Sequence, residues 1–330
     1  MNLPSQMNAI KMRETGGPDV LALVRRDLPT LKPNHVLIKV IAAGVNGPDL
    51  VQRRGHYPPP KDASDLLGLE ISGEIVALGC DQTQWSIGER VCALTNGGGY
   101  AEYVAVNANH CLPIPSGVSD IDSAGLPETF FTVWSNVFYS QDIKTGSVFL
   151  VHGGSGGIGS AAIQIGTAMG LQVFATAGSN EACSYCQYLG SKRSINYKDE
   201  DFVTVIREAG GADIILDIIG GKYVARNIKA AKSDAKIIQL AFNHGSRIEV
   251  DLMPIMLKRL VLTGSTLRSR PEAFKTAIAK DLSEKIWPLF GTTPAQLKPT
   301  TFKRFSLNDA AEAHKQMEIG GHHGKILLVL

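Results

Sequence analysis

Six residues carry the plainest chemistry in the chain: Gly154, Ser155, Gly156, Gly157, Ile158 and Gly159. They fit the form G-x-G-x-x-G, follow the apolar run "VFLVHG" and open the helix-like pattern "IGSAAIQIGTAMG". Glycines there let the backbone turn tightly and approach a pyrophosphate, while the new helix offers unpaired N–H groups and the positive end of its dipole. A strand before and a helix after are the context this motif requires, so it reads as a dinucleotide site and not as a plain strand-to-helix turn. Which dinucleotide depends on the end of the next strand. An Asp or Glu about 20 residues on holds the ribose 2′-hydroxyl of NAD. Here the strand ends "FATAGSN" and Ser179 stands at that distance, leaving room for a 2′-phosphate and favouring NADP. Glu181, two places later, is the acid that NAD would use.

Other polar residues carry weaker signals. Cys183-Ser-Tyr-Cys186 has the spacing of a redox or metal pair, but without a second pair it reads as two cysteines on neighbouring helical turns. His322-His323 reads as a solvated glycine turn, His152 as a packing or capping residue, and Lys325 as the first residue of the last strand, where a role near the cofactor is open but has no support from spacing. The basic pairs near 25 and 258 read as solvated faces.

The elements that must position these residues follow from periodicity. From Ser147, short apolar runs ("SVFLVHG", "LQVFATAG", "RSINY", "ADIILDIIGG", "AKIIQLA", "RLVLTGS") alternate with helical patterns, which implies a parallel sheet covered on both faces. Before it, "HVLIKVIAAGVN", "ISGEIVALG", "ERVCALT" and "YAEYVAV" are strand-like pieces between Gly, Pro and Asn turns; after about Leu267 come a helix near "NDAAEAHKQM" and a final strand "KILLVL". The expected organisation is a doubly wound α/β domain, 122–267, inserted in a β-rich domain built from 1–121 and 268–330. Ordered sequence is expected to begin near Met7, after a polar lead-in.

Bulk composition narrows the function classes. The chain has 330 residues, 44% of them hydrophobic and 19% charged, enough for two ordinary globular domains. A net charge of +2 spread along the chain gives no basic stripe for nucleic acid. No apolar stretch approaches a membrane span and no secretion signal is expected. Five cysteines without a regular framework point to free thiols in a reducing compartment, hence the cytoplasm.

Taken together, "AAGVNGPDLVQRRGHYPPP", "LLGLEISGEIVALG", "GGGYAEYVAV", "LPETFFTVWSNVF", "HGGSGGIGSAAIQ", "INY" and "LTGSTLRSR" resemble the zinc-independent quinone oxidoreductases of the medium-chain dehydrogenase/reductase superfamily, most of all their tumour-suppressor-inducible type. The likeness runs from about Met7 to Leu330. It implies a Rossmann domain inserted in a GroES-like catalytic domain, hydride transfer from NADPH to quinones in the cleft between them, and a homodimer. It implies that Asn46 lies near the nicotinamide and its ribose, that Tyr57 lines the substrate cleft, and that Thr132 contacts the nicotinamide. It assigns the pyrophosphate to Gly156, Gly157 and Ile158, and the 2′-phosphate surroundings to Gly178, Ser179 and Tyr197. Ala241, Phe242, Thr266 and Leu267 match the segments flanking the nicotinamide. One departure matters: Ala182 stands where the family places a lysine for the 2′-phosphate. Lys192 or Arg193 is the expected replacement, with weaker discrimination and NADH also accepted.

Zinc-dependent relatives supply cysteine, histidine and a further thiolate or carboxylate around the nicotinamide. Here Asn46 and Leu69 occupy those places, and Cys92 with Glu70 makes a poor donor set, so no metal is expected. Chemistry must then rest on positioning and a dry site, with the Tyr57 hydroxyl or solvent as proton source. Three rivals remain open: an enone or enoyl reductase, a nucleotide-sensing or RNA-binding Rossmann protein, and a cofactor-binding protein with little activity.

Overall fold

The computed structural model describes residues 3–61, 63–292 and 297–330. They form two compact units, one of residues up to Phe131 together with those from Arg268 onward, the other Thr132–Leu267. The sequence reading began the second domain at 122. In the structure 122–131 packs with the first unit: the Glu128 N–H donates to Glu70, and the Phe130 ring meets those of Trp287 and Phe290.

Unit 1 opens with an antiparallel pair, Gln6–Met12 (β1) and Leu21–Asp27 (β2). Its main sheet takes His35–Val45 (β3), Glu70–Leu78 (β4), Arg90–Leu94 (β5), Tyr103–Asn107 (β6) and Cys111–Pro113 (β7) from the first part of the chain. Between β3 and β4 lies the helix Gly47–Arg53 (α1); Asp120–Ser123 (α2) and Pro127–Val133 (α3) follow β7.

Unit 2 alternates strand and helix, as the periodicity demands: Val148–His152 (β8), Gly157–Ala168 (α4), Gln172–Ala177 (β9), Asn180–Tyr188 (α5), Arg193–Asn196 (β10), Phe202–Glu208 (α6), Ala212–Asp217 (β11), Tyr223–Ala230 (α7), Ala231–Gln239 (β12), Met253–Lys258 (α8) and Val261–Gly264 (β13). All neighbours pair in parallel and the spatial order is β10-β9-β8-β11-β12-β13. This is the 3-2-1-4-5-6 order of a doubly wound dinucleotide fold, with its switch point between β8 and β11. The continuous apolar strands are explained by burial on both faces: Phe149, Leu150 and Val151 of β8 are fully buried.

The chain then returns to unit 1 with Glu272–Lys285 (α9), Thr301–Ser306 (β14), Ala310–Ile319 (α10) and Lys325–Val329 (β15). β15 inserts between β14 and β3, which closes the sheet with the chain's last residues. The fold class is therefore the one expected, an α/β doubly wound domain inserted in a β-rich GroES-like one. A stretch of π-helix at Trp134–Phe138 was not legible from periodicity.

Candidate active site

Two groups of residues, one in each unit, carry chemistry.

In unit 2, the nominated residues lie where parallel strands end. Gly154–Ile158 follows β8, Gly178–Ser179 follows β9, Tyr197 follows β10, Ala241–Phe242 follows β12, and Thr266–Leu267 follows β13. Parallel strands put these five ends on one edge, where open α/β sheets bind ligands. The glycines divide into two kinds. A Cβ on Gly159 would lie 2.3 Å from the Gly153 carbonyl oxygen, and one on Gly154 would lie 2.7 Å from Ala175 and 2.9 Å from the Cys186 sulfur. These two are required by the protein's own packing. A Cβ on Gly156 would meet nothing nearer than 3.6 Å, so that cradle is open to an outside group. Gly156 caps α4 without a side-chain hydrogen bond, which leaves the first-turn N–H groups of Gly157 and Ile158 for an anion. The residues present fit a dinucleotide pyrophosphate.

At the end of β9, exposed Ser179 caps α5 by accepting from the Ala182 N–H at 3.2 Å. Tyr197 folds its hydroxyl over Gly178, where a Cβ would lie 2.5 Å from it. Lys192 and Arg193 do not replace the absent lysine. Lys192 bonds Gln172 at 2.6 Å and Arg193 pairs with Glu200 at 2.5 Å. Arg193 also sits opposite Phe174, four residues before Gly178, which is roughly 13 Å along the strand. Thr132 lies in α3, and its carbonyl accepts from Asn136 at 2.9 Å. Ser265 donates to Asn136 at 2.8 Å, so the Thr132 and Thr266 segments are tied together. Phe242 is half exposed and closes over Gly220; Leu267 is buried.

His152 is a core residue. Its Nε2–H donates to the Asn227 carbonyl at 2.8 Å and its Nδ1 accepts from Thr176 at 3.0 Å, while Asn227 donates to Asp217. Burial lowers its pKa to about 4, so the ring is neutral. Cys183 and Cys186 are buried on α5, and burial raises the Cys186 thiol to about 12.

In unit 1 the structure gathers residues that sequence spacing keeps apart. Asn46 caps α1 in a reciprocal box with Asp49, whose carboxylate accepts from the Asn46 and Gly68 N–H groups at 2.9 Å each. The Asn46 amide donates to Glu70 at 2.9 Å, and its oxygen accepts from the Lys325 ammonium at 2.5 Å. Lys325 also pairs with Glu70 at 2.6 Å, and the other Glu70 oxygen accepts from the Glu128 N–H at 2.8 Å. All three of Asn46, Glu70 and Lys325 are buried, so the amide of Asn46 is fixed in one orientation. Gly44 makes room for this, since a Cβ there would fall 2.0 Å from Glu70 Oε1.

Burial of Asp49 raises its carboxyl to about 6, and burial together with the charges of Glu70 and Asp49 raises Glu128 to about 8. Tyr57 is half-buried, with the Arg268 guanidinium 5.7 Å from its ring centre; burial and the Glu128 charge push its phenol above the usual range. Arg268 donates to Gln52 at 2.6 Å and to the Asn96 carbonyl. Sequence reasoning missed Asp49, Glu128 and Arg268, and left the role of Lys325 near the cofactor without support. Only the Asn46-x-x-Asp49 capping pattern held a local clue; Lys325 is brought in by the pairing of β15 with β3, and Glu128 and Arg268 by hydrogen bonds to distant residues.

The described residues of unit 1 do not fit zinc. Leu69 cannot ligate, Cys92 is buried with its thiol directed at the Pro113 carbonyl, and Lys325 already places a cation against Glu70. Among the described residues, no group of three or more His, Cys, Asp or Glu side chains could hold a metal ion.

Two family models match the chain: the alcohol dehydrogenase GroES-like domain over residues 32–116 and the zinc-binding dehydrogenase over 157–283. The quinone oxidoreductase of Rattus norvegicus is 31% identical over 334 aligned residues, covering 98% of both chains. The chain belongs to the quinone oxidoreductase family. The Homo sapiens quinone oxidoreductase is likewise 31% identical with the same coverage. Among solved structures, the Coxiella burnetii quinone oxidoreductase is 27% identical with a TM-score of 0.79, covering 98% of this chain and 99% of that one. The Pseudomonas syringae quinone oxidoreductase superposes with a TM-score of 0.85 at 23% identity, over 98% of this chain and 100% of that one, a likeness of fold. Membership in this family of medium-chain dehydrogenases/reductases makes the protein an oxidoreductase that uses a nicotinamide dinucleotide. No described helix is long and apolar enough to cross a membrane.

Proposed function

We propose that this quinone oxidoreductase family member is a zinc-independent reductase that moves a hydride from NADPH to a quinone, in the cytoplasm. The observation that carries the reading is the full-length similarity to quinone oxidoreductases, joined to an uncapped helix behind an open Gly156. Unit 2 holds the dinucleotide: Gly154, Ser155, Gly156, Gly157 and Ile158 take the pyrophosphate, and Thr132, Ala241, Phe242, Thr266 and Leu267 flank the nicotinamide. Unit 1 is the substrate domain, with Tyr57 against the acceptor and Asn46 set toward the nicotinamide ribose by Lys325 and Glu70. When bound, the nicotinamide supplies the hydride; the chain's own residues hold the partners and exclude water.

NADPH is preferred because Ser179 is small, neutral and exposed and Gly178 lies under the Tyr197 hydroxyl. The preference is modest, with NADH also used, since neither Lys192 nor Arg193 reaches that end of the sheet. Replacing Arg193 with Ala therefore leaves KM for NADPH within twofold, as steady-state kinetics would show. The five thiols are free, which supports a reducing compartment.

The protein works as a homodimer. β13 is the edge of its sheet, and Leu252, Met253, Met256, Leu257, Val261 and Leu262 are all about half exposed or more beside it. An unpaired edge strand with such a patch fits a second copy of itself.

The test is oxidation of NADPH and of NADH with an ortho-quinone and, side by side, an enone. Faster turnover of the quinone supports the reading. Turnover of the enone alone replaces it with an enone reductase, and tight cofactor binding without turnover replaces it with a binding protein.

A further inference from the structure

We propose that Glu128 is the proton donor of the reduction, giving its carboxyl proton to the acceptor as the hydride arrives. The inference rests on the reading of the chain as a hydride-transferring reductase.

The placement comes first. Glu128 sits in the first turn of α3, tethered by its own N–H to Glu70 Oε2. It thus stands beside Glu70 of the Asn46–Glu70–Lys325 cluster, in the electrostatic reach of Tyr57. Unlike Asp49 and Glu70, whose oxygens are fully engaged, its carboxyl has no hydrogen-bond or ion-pair partner among the described residues. A mostly buried carboxyl without a partner is costly as an anion and stable as an acid. The groups facing it are Glu70 on β4 and Asp49 on α1, which push its pKa up, and Lys325 on β15 and Lys275 on α9, which pull it down. Tyr57, beyond α1, and Arg268 complete the surround. Burial and the two acids prevail, at about 8, so the proton is present at neutral pH.

The chemistry needs such a group. One hydride converts a quinone into the hydroquinone monoanion, the nicotinamide being oxidised by two electrons, and one oxygen still lacks a proton. The Glu128 O–H bond breaks, the new O–H bond forms on that oxygen, and water restores the proton to the carboxylate. A phenol-type oxygen has a pKa of about 10, so transfer from an acid near 8 runs downhill. Tyr57, raised above its usual value, is the weaker donor.

The experiment pairs a titration with kinetics. In cofactor-free protein labelled with carboxyl-13C glutamate, the signal lost in Glu128→Gln is followed with pH in the wild type. A midpoint near 8 is expected; a midpoint near 4.5 would overturn the proposal. In kinetics with NADPH and whichever acceptor the wild type turns over, Glu128→Gln should lower kcat about 100-fold. KM for NADPH should stay within twofold, and the decline of wild-type kcat above pH 8 should vanish. Glu128→Asp, which keeps an acid, should recover part of the rate. Unchanged kcat in folded Glu128→Gln would overturn the role. Enone turnover without quinone turnover would overturn only the quinone reading, because protonation of a reduced enone asks the same of Glu128. A wild type that turns over neither acceptor would overturn both.

Discussion

The two groups of functional residues are built on opposite physical principles. The strand-end group of unit 2 is shape: glycines, exposed helix N–H groups and small side chains above an apolar sheet. The cluster of unit 1 is charge: two acids, Asp49 and Glu70, and a lysine held in a buried network with one asparagine. Shape at a chain reversal is written in consecutive residues and leaves no room for added atoms at Gly154 and Gly159. Charge in a protein interior is written in distant residues and tolerates no missing partner. The lesson is that the two halves fail differently, and each failure can be measured.

The largest effect should come from the charged group. Lys325→Met leaves Glu70 buried without its cation, and should cost about 3–5 kcal/mol of unfolding free energy in urea denaturation. The double variant Glu70→Gln with Lys325→Met should recover most of it; equal losses in single and double variants would mean that burial shape, not charge, governs unit 1. Next, Gly159→Val drives a side chain into the Gly153 carbonyl, with a loss of about 3 kcal/mol and no detectable NADPH binding by fluorescence titration.

Titration should separate the units by sign. His152 has a folded pKa of about 4 against about 6.5 unfolded, so only the unfolded chain takes up its proton between those values. Its share of stability is full above pH 6.5 and is lost as pH falls toward 4. Glu128 is the reverse: folded at about 8 against 4.5 unfolded, its share is full below pH 4.5 and is lost as pH rises toward 8. Relative to wild type, His152→Gln should therefore gain stability on acidification, and Glu128→Gln on alkalinisation, each by roughly 2 kcal/mol. Calorimetry across pH 4–8 would show it. The smallest structural effect should be Gly156→Ala, whose added carbon meets only the Gly153 carbonyl, at an ordinary contact distance of 3.6 Å. Its melting temperature should stay within about 1 °C while NADPH binding weakens about tenfold, or 1.4 kcal/mol. Equal damage to both would show that Gly156 serves packing and not a ligand.

The same contrast explains what the sequence disclosed. Gly154–Gly159 announces itself because a tight turn, a close approach and a helix start need neighbouring residues. The parallel sheet was legible because its strands are apolar on both faces. Ser179 was located by counting from the loop, since β9 has a fixed length. Lys325 stood out only as the start of a strand with an open role near the cofactor, because nothing local says that β15 will insert beside β3 and bring its ammonium to Asn46, 279 residues away. Glu128 was hidden for the same reason, its meaning supplied by Glu70 on β4, 58 residues away in the chain. Lys192 and Arg193 misled because nearness in sequence to Tyr197 ignores strand direction: β10 carries Arg193 to the far end from Gly178. The domain edge at 122 missed by ten residues because the first part of α3 packs on unit 1 through contacts no periodicity reveals.

The most direct measurement is the oxidation of NADPH and NADH, followed separately at saturating ortho-quinone by loss of nicotinamide absorbance. The account expects turnover with both, a lower KM for NADPH, and no loss of rate after treatment with a zinc chelator. No oxidation with any quinone, or a rate abolished by chelation, would contradict it.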